Sequence, residues 1–284
     1  MRALLALQPS TQSLAEATLE PLPGGLSNHA WRASDGDRSC FVRLGRTDAG
    51  ERGVDRASEC ALVGLAAAAG IAPPMLHCDP THGLLVTRYI EGRAWSREDA
   101  RRPANVARLG ARIGELHRLD CPLSVAPRSF VAQARLLEAQ LQAPGREVGV
   151  LRLAARTAFE RLASRGNVVA PCHDDLHHLN IIDDGERLWI VDWEYGGAGD
   201  PAYDLASYAC QHELDDDARR RLVEASGHAA GGPSPVDEAS LRAACIAFDY
   251  VQWLWYRLEA GGESGGLHAH RADAIAARIL AAAR

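Results

Sequence analysis

The residue pattern of the chain changes at Glu91-Gly92, and this change limits the possible folds more than any other feature. Before it, short segments bounded by turn-forming residues and carrying Trp, Phe, Val, Leu or Tyr predict strands at 29–34, 39–45, 75–78 and 83–89. After it, long Ala/Leu/Arg patterns predict helices at 103–119, 130–142, 149–165, 201–226 and 236–260, with a last helix from about 268. Because 284 residues suffice for two lobes, we predict a sheet lobe at 1–91 and a larger helical lobe at 92–284.

Smaller features refine this division. One helix is predicted inside the sheet lobe at 52–69, stopped by Gly70, with apolar residues at helical spacing: Val54, Ala57, Ala61 and Leu65. Glu59 falls outside that apolar stripe and is free to point elsewhere. In the helical lobe, apolar runs at 180–182 and 187–191 flank Asp183-Asp184-Gly185-Glu186 and predict a hairpin. The glycine-rich segment 228–235 predicts a surface loop.

The basic residues exclude several kinds of chemistry. All 31 are arginine, so the chain has no P-loop lysine, no lysine for a pyridoxal Schiff base and no lysine general base. The formal net charge of −6 gives no basic excess that would indicate a nucleic-acid partner.

The cysteines and the apolar segments bear on location. The 7 cysteines are scattered singly without a C-x-x-C pair, which predicts buried free thiols in a reducing compartment rather than a disulfide framework. The apolar run at the N-terminus is too short for a signal peptide, and no uncharged apolar stretch is long enough to span a membrane. We therefore expect a cytoplasmic protein with no membrane partner.

The densest concentration of chemically useful side chains lies at 173–180 and 188–194. Asp175 and Asn180 are predicted on a loop that enters the hairpin, and Asp192 follows its second strand. Such a hairpin can bring two carboxylates and an amide oxygen to one point. Oxygen ligands of this kind suit Mg²⁺, and a carboxylate beside the metal can orient a substrate hydroxyl.

The order of these residues carries a family resemblance. The pattern H-x-D-x-x-x-x-N at 173–180, then an Asp at a strand end, resembles the catalytic and metal-binding loops of kinases. With the segment 200–206 that follows, it resembles the choline/ethanolamine kinase and aminoglycoside phosphotransferase superfamily. The resemblance implies an α+β, bilobal protein kinase-like fold and an ATP- and Mg²⁺-dependent phosphotransferase. It further implies that Asp175 and His173 belong to the catalytic loop and that Asn180 and Asp192 bind the metal.

The same resemblance assigns nucleotide-binding residues in the first lobe. The turn 24–28 resembles a shortened phosphate-covering turn with Gly25, Ser27 and Asn28, although a Gly-Gly pair alone is typical of a hairpin tip. Arg43 stands where protein kinases keep a lysine, and its two donors can grip phosphate oxygens. The resemblance makes Glu59 its ion-pair partner; the alternative is a solvated helix face.

The segment 85–92 resembles the hinge of these enzymes, in which backbone groups of Arg88 and Ile90 read adenine. A protein kinase is excluded because Asp200 follows Asp192 by only eight positions, too few for an activation segment that seats a polypeptide. A zinc site from His173, His177 and His178 lacks a further ligand set, and a His173 that braces the loop is preferred.

The acceptor is indicated by the aromatic segment 247–256, which can be core or a cation–π box. Spacing alone assigns Phe248, Val251, Trp255 and Leu258 to the core and Asp249, Trp253 and Tyr256 to a cation site. The resemblance instead selects Trp255, with Gln252 beside it and Tyr195 across the cleft, and we follow it. Choline, ethanolamine and thiamine remain open as acceptors. Asp215-Asp216-Asp217 is weak evidence for an aminoglycoside, and a non-catalytic nucleotide-binding module is the alternative from another class. The oligomeric state stays open.

Overall fold

The sheet of the N-terminal region is five-stranded and antiparallel, in the order β1-β2-β3-β5-β4. A computed structural model of the chain describes residues 2–7, 11–22, 28–36, 38–45, 53–141, 146–166, 168–229, 234–260 and 265–283. The strands are β1 (Thr18–Pro21), β2 (Asn28–Asp35), β3 (Arg38–Gly45), β4 (Met75–Asp79) and β5 (Leu84–Arg88). The four predicted strands are therefore confirmed to within one or two residues, and β1 is an addition that packs on the edge.

Helix α1 (Arg2–Leu7) precedes the sheet, and helix α2 (Arg56–Ala68) connects β3 to β4. Helix α2 begins later than the predicted residue 52, which lies outside the described residues. It begins at Arg56 because the side chain of Asp55 accepts hydrogen bonds from the backbone N–H groups of Ala57 (3.0 Å) and Ser58 (3.2 Å). This cap fixes the first turn of α2, which carries Glu59.

The prediction of free cysteines throughout is wrong for one pair. Cys60 on α2 and Cys78 on β4 form a disulfide, with their Cα atoms 5.7 Å apart. The two cysteines are 18 positions apart in the sequence and meet because α2 packs against β4, and spacing in the sequence gave no sign of this. The other five cysteines are free, and four of them are buried.

The remaining chain is mainly helical. Its helices are α3 (Arg97–Arg101), α4 (Pro103–Leu116), α5 (Phe130–Gln140), α6 (Arg146–Ala163), α7 (Ala202–Gln211), α8 (Asp216–Ala229), α9 (Glu238–Glu259) and α10 (Gly265–Ala282). Short strands lie between α6 and α7 and before α3: β6 (Arg93–Ala94), β7 (Ala170–Cys172), β8 (Ile181–Asp183), β9 (Leu188–Ile190) and β10 (Gly197–Gly199). Strands β8 and β9 form the predicted hairpin, β6 pairs with β8, and β7 pairs with β10. The predicted α+β architecture, an antiparallel sheet followed by a mainly helical region, is confirmed.

The single helix predicted at 201–226 is wrong, because the chain turns between α7 and α8. Glu213 adopts a left-handed backbone conformation (φ 50°), and the side chain of Asp215 caps α8 by accepting from the N–H of Ala218 at 2.8 Å. Asp217 pairs with Arg220 at 2.8 Å. The acidic run at 215–217 is thus the start of a helix and lines no part of the cavity described below. The loop predicted at 228–235 begins later than predicted, because α8 extends to Ala229. Residues 230–233 lie outside the described part of the chain.

One large hydrophobic core holds the helical region together. Helix α9 runs through it and packs against α5, α6, α7 and α10. Helices α4 and α8 approach closely at Gly110 and Gly114, where an added Cβ would lie 2.8 Å from the Leu222 carbonyl oxygen and 2.1 Å from that of Ser226. Of the helices that the structure describes, none has the length and apolar character needed to cross a membrane.

Candidate active site

A cavity of about 650 Å³ lies between the sheet and the β8–β9 hairpin region. Predicted site residues that line it are Asn28, Arg43, Arg88, Ile90, Asp175, Asn180, Asp192 and Tyr195. Glu59 and His173 lie directly behind this wall and contact residues that line it. Gly25 and Ser27 fall outside the described residues. The fold therefore brings residues from distant parts of the sequence to one cleft.

The loop that carries Asp175 is held from behind by helix α7. Asp204 accepts hydrogen bonds from the backbone N–H groups of His173 (3.0 Å) and Asp174 (2.7 Å), and Ser207 accepts from that of Leu176 (3.0 Å). Asp174 itself adopts a left-handed conformation with φ of 62°. Asp204 and Ser207 lie three residues apart on one face of α7, so the helix holds three backbone N–H groups of the loop.

His173 braces the loop and does not reach the cavity, so its assignment as a catalytic residue is corrected to a positioning one. Its Nδ1 accepts from the N–H of Asp175 at 3.3 Å, and its Nε2 donates to the Val191 carbonyl at 2.9 Å. The ring is fully buried against Trp193, and burial lowers the pKa of His173. Because both ring nitrogens are used within the protein, His173 is not part of a zinc site.

Asn180 ends a short 3₁₀ turn (His178–Asn180) that leads into β8. Its Nδ2 donates to the backbone carbonyl of Asp175 at 2.9 Å, which ties the two ends of the loop together. Since the amide nitrogen makes that bond, the amide oxygen is the atom that Asn180 can offer to a cation.

Asp192 follows β9 in a left-handed conformation with φ of 65°. Its Oδ1 lies 3.8 Å from Nη1 of Arg43. Burial in the cleft, reinforced by the charge of Glu194, raises the pKa of Asp192 to about 7, although Arg43 opposes this shift. Burial also raises the pKa of Asp175, with Glu194 adding to the effect.

The donor set of the cleft fits a divalent cation. Three carboxylates, those of Asp175, Asp192 and Glu194, line one cavity with the amide of Asn180. The charge of Glu194 contributes to the raised pKa of both Asp175 and Asp192, so these carboxylates repel one another in the cleft. A hard cation with oxygen ligands, such as Mg²⁺, would supply the missing positive charge.

Arg43 and Glu59 form a buried ion pair at the roof of the cavity. Both Nη atoms of Arg43 donate to the carboxylate of Glu59, one at 2.8 Å, and the two side chains are 5% and 1% exposed. Burial by itself lowers the pKa of Arg43, but the bonds and charge of Glu59 outweigh it and raise that pKa. The solvated helix face considered for Glu59 is thus wrong, and the pairing implied by the resemblance is present.

Two residues that contact the predicted site residues were not identified from the sequence: Arg56 and Glu194. Arg56 contacts Glu59 at 2.7 Å, Glu194 at 3.2 Å and the amide oxygen of Asn28 at 3.1 Å, while Asn28 donates to Glu194 at 2.9 Å. This network links the sheet to the segment that carries Asp192. Arg56 lies one helical turn before Glu59, so the i,i+3 spacing is the sequence signal that could have identified it.

The predicted hinge forms the apolar end of the cavity. The N–H of Arg88 donates to the Pro74 carbonyl at 2.8 Å and the N–H of Tyr89 to the Ser39 carbonyl at 3.0 Å, so the segment is fixed before it reaches Ile90. The nearby cavity wall is apolar, with Ala30, Val63, Ala72, Leu85 and Ile182. A wall of this kind suits a flat heterocycle with backbone groups at its edge.

The aromatic helix does not line this cavity. Helix α9 is described throughout, and none of its residues, Gln252 and Trp255 included, is among those at the cavity wall. Trp255 is 39% exposed and contacts the rings of Tyr256 and His268. Trp253 is 1% exposed, and Asp249 pairs with Arg278 at 2.6 Å, so the stripe that spacing assigned to a cation site is core.

Comparison with known proteins agrees with this geometry. The chain matches the phosphotransferase enzyme family over residues 18–244. The solved structure of a choline/ethanolamine kinase family protein from Mesorhizobium loti is 29% identical, with a TM-score of 0.79, covering 99% of this chain and 92% of that one. The choline kinase LicA from Streptococcus pneumoniae shares the fold, with a TM-score of 0.77 at 21% identity over 98% of this chain and 100% of that one.

Curated sequences match over shorter segments. Mouse ethanolamine kinase 2 is 27% identical over 217 residues, which are 73% of this chain and 50% of that protein. Protein LicA of Haemophilus influenzae is 37% identical over 66 residues, 23% of this chain and 19% of that protein. The chain thus spans about a fifth to a half of the length of these curated relatives. Since the family match extends over most of the sequence and the fold is kinase-like, this chain belongs to the phosphotransferase enzyme family.

Proposed function

We propose that this protein transfers the γ-phosphoryl group of ATP to the hydroxyl of a small cationic alcohol, choline or ethanolamine. The observation that carries the proposal is the presence of Asp175, Asn180 and Asp192 on one cavity with Arg43. Carboxylates for a metal and a nucleophile, together with a cation for phosphate, are what phosphoryl transfer requires. Because ATP is the donor, we expect the reaction to take place in the cytoplasm.

The first 91 residues are proposed to bind the nucleotide. The apolar wall at Arg88 and Ile90 receives adenine, and backbone groups of these two residues read its edge. The guanidinium of Arg43, held by Glu59, grips the α- and β-phosphates. Asn28, which lies at the cavity wall, faces the phosphates.

Residues 92–284 are proposed to carry the catalytic and acceptor-binding groups. Asp175 accepts the hydroxyl proton while the hydroxyl oxygen attacks the γ-phosphorus, and the bond from that phosphorus to the β–γ bridging oxygen breaks to leave ADP. His173 positions Asp175 through its backbone N–H. When bound by Asp192 and Asn180, Mg²⁺ supplies positive charge to the phosphate oxygens.

A cationic acceptor is favoured by Tyr195, which supplies an aromatic face at the wall of the cavity that also carries Asp175. The relatives described above are named for choline or ethanolamine, and the one from Mesorhizobium loti is similar over nearly the whole chain. None of them is named for thiamine, and thiamine is therefore not proposed.

An acceptor screen tests the proposal. ADP formation is measured with choline, ethanolamine, thiamine, sugars and aminoglycosides, each with Mg²⁺ and with a chelator. We expect the highest rate with choline or ethanolamine and no turnover with the chelator. If none of these acceptors raises ADP formation above the rate in buffer alone, the proposal is wrong.

Nucleotide titrations separate the metal ligand from the rest of the site. Asp192→Asn should weaken ATP binding in the presence of Mg²⁺ and change it little in the presence of a chelator. Asp217→Asn, which alters an 84% exposed carboxylate on α8, is the matched control and should bind ATP as the natural protein does. Equal weakening with and without Mg²⁺ contradicts the assignment of Asp192 to the metal.

A further inference from the structure

Arg56, the first residue of α2, ties three parts of the chain together without being among the residues that line the cavity. Its Nη2 donates to the amide oxygen of Asn28 at 3.1 Å, and its Nη1 donates to Glu59 at 2.7 Å and to Oε2 of Glu194 at 3.2 Å. The side chain is only 11% exposed. The contacts between the sheet, α2 and the segment after Asp192 therefore converge on one guanidinium, and no step of the proposed reaction uses it.

The end of strand β3 supplies the seat for this guanidinium. A Cβ atom added to Gly45 would lie 2.5 Å from Nη2 and 2.8 Å from Cζ of Arg56, closer than a real Cβ approaches another heavy atom. Gly45 pairs with Asn28 in the sheet and is not one of the glycines with positive φ, so its backbone would accept a side chain. The space that Arg56 occupies therefore explains why this strand position carries no side chain.

Glu194 connects the seated guanidinium to the segment that carries Asp192. Its Oε2 accepts from Arg56 at 3.2 Å and from Asn28 at 2.9 Å, and its side chain is 4% exposed. Asp192, two positions earlier, has a left-handed backbone with φ of 65°. A non-glycine residue keeps such a conformation only where its surroundings hold it. The contacts of Glu194 hold this segment against the sheet on which Arg43 lies.

We propose that Arg56, seated on Gly45, is a positioning residue for phosphoryl transfer. By holding Glu194, it fixes the proposed metal ligand Asp192 relative to the proposed phosphate ligand Arg43. This inference rests on the proposed function for the roles of those two ligands. A guanidinium suits the task because its planar, separate donors bind two acceptors in fixed directions at once, whereas the ammonium group of a lysine is a single point charge.

A cycle of substitutions tests the seat in the ligand-free protein. Because the guanidinium is the end of a flexible side chain, a methyl group at position 45 displaces it while the strand stays in place. Gly45→Ala should therefore lower the Tm of the natural protein but not that of Arg56→Ala, in which the space is free. Gly149→Ala is the matched control, since an added Cβ there meets nothing, and it should change Tm equally in both backgrounds. Equal losses of Tm from Gly45→Ala in both backgrounds overturn the proposal.

Titrations with ATP test the positioning role. Arg56→Ala and Gly45→Ala should each weaken ATP binding about tenfold with Mg²⁺, the scale for a hydrogen bond to a charged group, and less than about twofold with a chelator. Arg56→Lys should recover the affinity only in part. In an Asp192→Asn background, Arg56→Ala should weaken binding with Mg²⁺ no further, because Asp192 is the residue through which it acts.

The outcomes separate this inference from the proposed function. Equal weakening with Mg²⁺ and with the chelator, or additive losses in the Asp192→Asn background, would show that Arg56 does not act through Asp192, and either result overturns the positioning role. If the natural protein binds ATP with Mg²⁺ but phosphorylates no acceptor, the proposed function has failed, while the titrations still decide the role of Arg56. If it binds no ATP, both proposals are wrong.

Discussion

The loop at 173–180 and helix α9 are the two regions richest in chemically useful side chains, and the structure uses them differently. In the loop, Asp175 and Asn180 point into the cavity while the backbone is held by α7. In α9, Trp253 is buried, Asp249 is paired with Arg278, and Trp255 is partly exposed and does not line the cavity.

The difference between these regions is one of spacing and support. The loop residues follow no helical or strand period, so burial in a core does not explain why these residue types occur there. Hydrogen bonds from another element must hold the backbone of the loop in place. The α9 residues follow a helical period. A large apolar side chain at such a position is explained by packing in the core, without a role in a site. A dense motif without a period is therefore better evidence for a site than an aromatic helix.

The largest effect is expected from Trp253→Ala. Removing a fully buried Trp side chain from the core should lower the free energy of unfolding by about 3–5 kcal/mol, measured by chemical denaturation. Trp255→Ala, two residues along, is the matched control and should cost far less because the side chain is 39% exposed. The KM values of folded Trp253→Ala should be unchanged. A selective rise in the acceptor KM would instead show that Trp253 belongs to the acceptor site.

The next-largest effect is a change of stability with pH, caused by His212, which supports the loop at 173–180. His212 is buried, its Nδ1 donates to the Tyr208 carbonyl at 2.9 Å, and its Nε2 accepts from the N–H of His178 at 3.2 Å. Burial, with the positive surroundings of His178, Arg97 and His177, lowers the pKa of His212 to about 4.

Because the unfolded chain binds this proton more readily, the stabilisation by neutral His212 is complete above pH 6.5 and is lost as the pH falls toward 4. Its size is about 3 kcal/mol at most. The Tm of the natural protein should therefore fall across this window, and His212→Gln should flatten the slope. An exposed control, His82→Gln, should retain the slope. A His212→Gln profile parallel to the natural one contradicts the assignment.

For the loop itself, Asp175→Asn should lower kcat by at least ~10²-fold with the KM for ATP nearly unchanged. Because burial raises the pKa of Asp175, the neutral side chain avoids the burial of a charge, and Tm should stay the same or rise. Steady-state kinetics and a thermal scan check both statements. A loss of ATP affinity equal to that of Asp192→Asn would contradict the separate roles of the two carboxylates.

The sheet offers an intermediate case, since Arg43 is both buried and part of the site. Arg43→Lys keeps the charge but loses the paired donors, so the KM for ATP should rise by about tenfold, the scale for a hydrogen bond to a charged group. Glu59→Gln should change the KM in the same direction because it releases the guanidinium. If Glu59→Gln leaves ATP kinetics unaltered, the pair serves the fold alone.

The smallest effect is expected from Trp255→Ala in kinetics. Since Trp255 does not line the cavity, the acceptor KM should change by less than about twofold, below the range for a lost cation–π contact in a desolvated site. Tyr195→Ala, at the cavity wall, provides the comparison and should raise the acceptor KM several-fold. A selective rise of the acceptor KM in Trp255→Ala would show that α9 contributes to the acceptor site after all.

The sequence by itself determined the two-part architecture, four strands of the sheet and the presence of Asp175, Asn180 and Asp192 on one cavity. These features depend on local patterns: alternation in strands, helical periodicity, and a loop whose residues lie within 20 positions of one another. Local patterns fix backbone conformation over short distances, and the short hairpin leaves these three residues few ways to separate.

Tertiary structure alone decided the features that depend on which surfaces meet. Glu59 is buried against Arg43 because α2 packs across the sheet, Cys60 meets Cys78 for the same reason, and Trp255 is left outside while Trp253 enters the core. Periodicity reports which side of a helix is apolar, but it does not report what lies opposite that side. The partner of a side chain is fixed by contacts between distant elements, and those contacts have no signature in the local sequence.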